Sequence, residues 1–401
     1  MTTNAVAPSP KELQSQPAPV RSRFAQFAVR FSISGSVLAV LLITTELISG
    51  ALLSIPQDKE SGGIHHSYYK DQPWAAEYWR EFQLSKRQQY KPYVVWRRAP
   101  FTGKYINVDE NGLRRTVNPE CSPGSRQIWA FGASTLWGMG APDDKTIPSI
   151  LSQEYARTVG PVCVTNFAES AWVSTQNVIQ LEIALKHAGR PPDLVVFYDG
   201  LADVLPVYQS GRPDVHFGFE KVRSLVEAGQ AKRSSFAYIK ETGTWRLITS
   251  IMAEVASTKS THALTSRQSR NVDNLAKKTL ENYRANMKIV AALSTEYGFR
   301  YISFWEPMAL SGNKKLTPSE RDMLASIERE TPGLPELTRR TFDLMFSVHD
   351  PHIINISDTF DHSNDDIYME VGHITPEGNR QVALRILEFL RKSDKELGSR
   401  H

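Results

Sequence analysis

Two short stretches of this chain hold the residue types of an acyl-transfer site. In Gln127–Gly140, QIWAFGASTLWGMG, Ser134 follows the apolar run Ile128–Phe131. In Tyr368–Asn379, YMEVGHITPEGN, His373 stands three residues after Glu370. A hydroxyl to attack, an imidazole to carry its proton and a carboxylate to orient the imidazole are the parts of nucleophilic acyl transfer. Taken singly, each has a bland reading: a serine after a strand caps its own turn, and a histidine near a glutamate is a surface pair. Ser134, however, falls just beyond the carboxyl end of a predicted strand, where open α/β sheets place their ligands.

The elements that must position these residues are legible as an alternation. QIWAF, VCVTNF (162–167), DLVVFYDG (193–200), RYISFW (300–305) and the weaker HIINI (352–356) read as strands. The third has the unbroken hydrophobicity of a strand buried on both faces. Between them Val178, Ile179, Leu181, Ala184 and Leu185 recur at helical spacing, as do Val272, Leu275, Ala276, Tyr283, Ile289, Val290 and Leu293. A last helix starts at Pro376 with Thr375 as its cap, and Val382, Ala383, Ile386, Leu387 and Leu390 form its apolar stripe. The pattern predicts a parallel α/β sheet of about five strands with helices on both faces.

The rest of the 401-residue chain surrounds this core. A net charge of +4 is too small to argue for nucleic acid. Residues 1–30 read as a disordered cytoplasmic tail. Residues 31–55 read as a transmembrane anchor, because 33–55 is apolar and long enough to span a bilayer, although Glu46 lies inside it. Lys11, Arg21, Arg23 and Arg30 precede it, while Asp58, Lys59 and Glu60 follow. The positive-inside rule then sets a single pass in the inner (plasma) membrane, with the catalytic domain periplasmic or extracellular. A cleaved signal peptide is the alternative, given the small residues Ser49–Ala51. Residues 56–124 form an aromatic-rich approach segment whose rings are expected to pack on the domain rather than stack on sugars. Residues 125–392 form the domain itself, and 393–401 a tail. An insertion at about 205–270 is basic, with nine Lys/Arg against three Asp/Glu between 221 and 270. It reads as a solvated helical insertion, with a lid or a contact to acidic polymer or lipid headgroups as the alternative. His349, Asp350, His352, Asp361, His362, Asp365 and Asp366 lie close in sequence without any fixed ligand spacing, so no metal is predicted, and no organic cofactor.

Four blocks resemble the SGNH (GDSL-like) hydrolase superfamily over roughly residues 90 to 392. FGASTLWGMGAPDDKTIPSIL is similar to its nucleophile block and implies Ser134 as nucleophile and oxyanion donor. TNFAESAWVSTQ is similar to the second block, which implies a backbone N–H of Ala168 in the oxyanion hole. FYDGLADV is similar to the third, G-x-N-D: Gly200 and Asp203 match as site-loop residues, but Ala202 stands at the Asn position. EVGHITPEGN is similar to the last, with His373 as base and Glu370 as acid, and Asp365 or Asp366 as substitutes for the acid. The resemblance implies a flavodoxin-like sheet in which the first two strands are neighbours; Cys121 lies just before the first and Cys163 within the second, so a disulfide between them is expected outside the cytoplasm. It also implies a membrane-anchored ester hydrolase acting on short acyl (O-acetyl) esters of an envelope or exported polysaccharide. Two alternatives stand beside it. One is an O-acyltransferase working on a glycan with a multi-spanning membrane acyltransferase partner, Glu46 marking the contact. The other is a non-catalytic glycan-binding or scaffold module on the same fold, for which Ala202 is the reason, since losing one oxyanion donor costs about a hundred- to a thousandfold in rate.

Overall fold

A computed structural model describes residues 66–230, 271–347 and 350–398, with scattered helical residues between 36 and 48. The expected anchor at 31–55 lies mostly outside the described residues, as do 231–270 of the expected insertion and His349. Among the described residues no helix is long and apolar enough to cross a membrane.

From Ser67 onward the described residues run through α1 (Ser67–Lys70) and α2 (Ala75–Leu84), the hairpin β1 (Gln88–Lys91) and β2 (Val95–Arg98), and the short pair β3 (Phe101–Thr102) and β4 (Asn107–Val108). The α/β alternation follows: β5 (Arg126–Gly132), α3 (Ser134–Trp137), α4 (Ile147–Thr158), β6 (Val162–Asn166), α5 (Ser174–His187) and β7 (Leu194–Asp199). Then come α6 (Leu201–Ser210), α7 (Phe219–Gln230), α8 (Val272–Tyr297), β8 (Arg300–Trp305), α9 (Pro318–Glu330), α10 (Leu334–Ser347), β9 (Ile353–Asn355) and α11 (Pro376–Gly398). Strands β5 to β9 form one parallel sheet in the order β6-β5-β7-β8-β9. This is the flavodoxin-like order, whose switch point lies between its first and third strands, here β5 and β7.

Strands β5, β6 and β7 bury both faces, because side chains alternate across a pleat, while β9 is only half-buried. On β5, Ile128 and Ala130 pack with Ile147, Leu151, Val382 and Ile386 of α4 and α11, while Trp129 and Phe131 face Leu181, Tyr283 and Phe342 of α5, α8 and α10. Tyr69, Trp74, Tyr78, Trp79 and Phe82 of the approach segment join the first of these cores. Tyr90 and Tyr93 stay exposed on the β1–β2 hairpin. Cys121 and Cys163 form a disulfide that ties the approach to β5 onto β6.

Candidate active site

Ser134 is the first residue of α3, immediately after the turn that leaves β5. That four-residue helix is short because Gly138 ends it in a left-handed conformation (φ 101). A β-carbon at Gly138 would collide with Thr146, so only glycine fits there. The indole of Trp137 is fully buried, with the guanidinium carbons of Arg98 and Arg114 at 3.8 and 4.2 Å from its ring centre. Arg114 also donates to the carbonyls of Gly138 (2.7 Å) and Ala141 (2.6 Å) and pairs with Asp143 at 3.0 Å. These contacts fix the turn that presents the serine.

His373 and Glu370 share a tight turn ahead of α11. The Met369 N–H donates to the His373 carbonyl at 2.9 Å, and the Thr375 N–H to the Ile367 carbonyl at 2.8 Å. Thr375 and Pro376 begin the last helix as its cap and first residue. The fold then closes a relay across 239 positions of sequence: Ser134 Oγ lies 2.6 Å from His373 Nε2, and His373 Nδ1 lies 2.8 Å from Glu370 Oε2. Both spacings are within reach of a nucleophile–base–orienter arrangement. Burial alone would lower the imidazole's pKa, but the Glu370 carboxylate and its hydrogen bond, with Glu306 behind, carry it above the usual histidine value. Glu370 feels the opposite balance: burial raises it, and His373 and then Lys86 bring it below the usual carboxylate range.

The relay opens into a cavity of about 470 Å³. Its walls come from the approach segment (Phe82, Lys86, Arg98), the turn Ser170–Ala171, α6 (Ala202, Leu205) and Phe217 at the start of the insertion. A larger cavity of about 750 Å³ beside Trp129 and Phe167 is lined by no serine, cysteine or carboxylate.

The sequence expectations meet this geometry unevenly. Ser134, His373 and Glu370 come together. Ala168 does not face the serine: it is fully buried and its N–H donates to Asn166 Oδ1 at 3.1 Å. The physical reason is the turn that follows, where the buried Glu169 carboxylate accepts the N–H groups of Ser170 (2.7 Å) and Arg98 (2.8 Å). That turn swings Ala171, not Ala168, onto the cavity wall in a left-handed conformation (φ 61). Among the described residues the N–H groups of Ser134 and Ala171 have no acceptor in the protein. Asp203 is not on the cavity wall either. It accepts the Ser174 N–H (3.1 Å) and hydroxyl (2.5 Å) and so clamps the start of α5. Burial raises its pKa to about 6. Gly200 precedes α6 at the end of β7, and Ala202 lines the cavity with no side-chain donor. Asp366 is taken by Ser67 and Thr317, and Asp365 by a local contact to Ser363, so neither reaches His373.

Sequence reasoning missed Glu306, Ala171 and the wall from the approach segment. Glu306 was readable only as a polar residue ending a strand, and Ala171 as one of two alanines in FAESA. Among the described residues no group of histidine, cysteine and carboxylate side chains is arranged to hold a metal ion.

No protein-family model matches the sequence, and no curated protein is similar to it. Solved structures similar to this chain include a lipolytic protein of the G-D-S-L family from Veillonella parvula, at 12% identity over 66% of this chain and 97% of that one, with a TM-score of 0.35. The psychrotrophic esterase EstA from Pseudoalteromonas sp. is similar at 11% identity over 68% of this chain and 100% of that one, TM-score 0.34. The acetyl xylan esterase AlAXEase is similar at 12% identity over 65% and 98%, TM-score 0.32. Overlap at this level leaves activity to rest on the site itself.

Proposed function

We propose that this protein is an SGNH-type serine ester hydrolase acting on short acyl esters, with O-acetyl groups of an envelope or exported polysaccharide as substrate and the 33–55 segment as its membrane anchor. The observation that carries the reading is the continuous relay Ser134–His373–Glu370 opening into a cavity of about 470 Å³. Ser134 Oγ attacks the acyl carbonyl while His373 Nε2 takes its proton, and Glu370 holds the imidazole by Nδ1 and offsets the charge that forms. The N–H groups of Ser134 and Ala171 receive the oxyanion. His373 returns the proton to the departing alcohol, and water drawn to the same nitrogen releases the acyl group. A glycan hydroxyl in place of that water gives acyl transfer from the same intermediate, with a multi-spanning partner as acyl donor.

Ala202 favours one second reading, a glycan-binding module without turnover, because the cavity lacks a side-chain oxyanion donor at that position. The test treats the full-length chain, in detergent, with a fluorophosphonate probe, p-nitrophenyl acetate and O-acetylated polysaccharide. Labelling of Ser134 with acetate release from the glycan supports the hydrolase. A folded protein that binds glycan yet is silent to probe and ester overturns it in favour of the second reading.

A further inference from the structure

One buried carboxylate at the site takes no part in the relay. Glu306 directly follows β8 and is 4% exposed. Its N–H donates to the Asp199 carbonyl at 2.9 Å, which extends the β7–β8 pairing by one step. Its side chain reaches the same cavity as Ser134 and His373. Oε1 accepts the N–H of Leu201, the first residue of α6, at 2.7 Å. The Thr135 hydroxyl lies between this carboxyl group and the Gly372 carbonyl, 3.2 Å from the latter. A β-carbon on Gly372 would stand 3.7 Å from Glu306 Oε1. One side chain therefore touches or borders three loops: that of the nucleophile, that of Gly200–Ala202 and that of the base.

The charges around it are few. His373 favours its ionised form, and Asp203 on α6 opposes it. Asp199 and the hydroxyls of Tyr198 and Tyr368 feel Glu306 from β7 and from the turn before His373. Of the two cations on the cavity wall, Arg98 is engaged by Ser85, Ser170 and Glu169, and Lys86 interacts with Glu370. His373 is thus the one cation-forming group among those that shift Glu306. Glu370 acts on the imidazole first, through contact at 2.8 Å, and a charge at the 4% exposed Glu306 adds to it with little screening by solvent.

We propose that Glu306 is a positioning residue for the reaction: it fixes the Gly200–Leu201 turn beside the nucleophile loop and lends His373 a second, buried negative charge that stabilises the imidazolium. This rests on the reading of Ser134 and His373 as nucleophile and base. Burial pushes the Glu306 carboxyl up to about 7, while His373 on the wall of the same cavity favours its ionised form.

The test is Glu306→Gln in the full chain, which retains the side-chain shape and an oxygen for the Leu201 N–H while removing the charge. The His373 titration is followed by NMR in a Ser134→Ala background, and kcat/KM for p-nitrophenyl acetate is followed against pH in the otherwise native protein. The expected result is a His373 midpoint lowered by about half a pH unit or more, with the acid limb of kcat/KM moving down by the same amount. We further expect kcat on the plateau to fall several-fold while KM changes little. Glu306→Asp, which keeps the charge, restores the His373 midpoint and serves as the informative variant should the glutamine protein not fold. A midpoint identical to that of the parent in the glutamine variant, or one that aspartate fails to restore, overturns the proposal. The NMR midpoint needs no turnover, so absence of esterase activity counts against the hydrolase reading and leaves this test standing.

Discussion

The Cγ of Glu306 lies 2.6 Å from the point where a β-carbon on Gly200 would stand. Glycine is required here for space: the glutamate side chain occupies the volume that a β-carbon would need. A glycine at the end of one strand and a carboxylate at the end of the next are in this sense a single fitted unit. Gly200→Ala is expected to push the carboxylate aside, destabilise the protein by about 1–3 kcal/mol as overpacking does, and reduce esterase activity. Urea unfolding and p-nitrophenyl acetate turnover check both effects, and an unchanged unfolding midpoint would show that the fit is loose.

Ser134→Ala and His373→Ala are each expected to abolish fluorophosphonate labelling and to lower kcat by about a thousandfold or more. Glu370→Ala should cost less, because its side chain is half exposed and Glu306 remains as a second negative charge near the imidazole. Steady-state rates for the three variants settle the order; equal losses at Glu370 and His373 would assign the whole orienting role to Glu370.

The base must be neutral to accept the serine proton. Its pKa is held above 6.5 by Glu370 and Glu306 against the lowering effect of burial. Activity is therefore expected to fall as pH drops through that raised value, with a midpoint above 6.5. In Glu370→Ala the midpoint should move toward lower pH, since the larger of the two raising influences is gone. A pH–rate profile between mildly acidic and mildly alkaline buffers reads this directly.

Ala202 lines the cavity where the resemblance to SGNH hydrolases implies an Asn donor. Ala202→Asn is expected to raise kcat by about tenfold or more, with KM little changed, because such a donor acts chiefly in the transition state. A rate no higher than the parent's would mean that the Ser134 and Ala171 N–H groups already satisfy the oxyanion.

The Cys121–Cys163 bond closes a span of 42 positions. Cys163→Ala should lower stability by about 2–4 kcal/mol, and alkylation of the unreduced parent should find both cysteines blocked. Free thiols in protein prepared without reductant would contradict the bond.

The parts of this site that were legible in the sequence are those carried by contiguous text. Ser134 is announced by the apolar strand before it, and His373 with Glu370 by a turn and a helix start. Strand β7 was readable because a strand buried on both faces is an unbroken apolar run, while the short, half-exposed β9 reads more weakly. Ala171 was not readable, because what distinguishes it from Ala168 is a backbone angle set by where the Glu169 carboxylate finds its donors. Glu306 was not readable because its role is defined by Gly200 and Thr135, more than a hundred positions away. Phe82 and Lys86 belong to a segment whose apolar spacing does not say which part of the sheet it meets, yet they wall the cavity. Each of these is a relation made by tertiary packing, and no local pattern encodes it.

The 239 positions between Ser134 and His373 have a bearing on the life of the molecule outside its folded form. A nascent chain exposes its serine long before the imidazole is made, and until the turn at Glu370–His373 docks, that hydroxyl is an ordinary alcohol. The same holds in reverse for damage. A proteolytic cut between Asn355 and Glu370 leaves the base tied to the sheet only through the packing of α11, whose Val382, Ile386 and Leu390 sit in the core. Reactivity here waits on the last turn of the sheet's far side to dock.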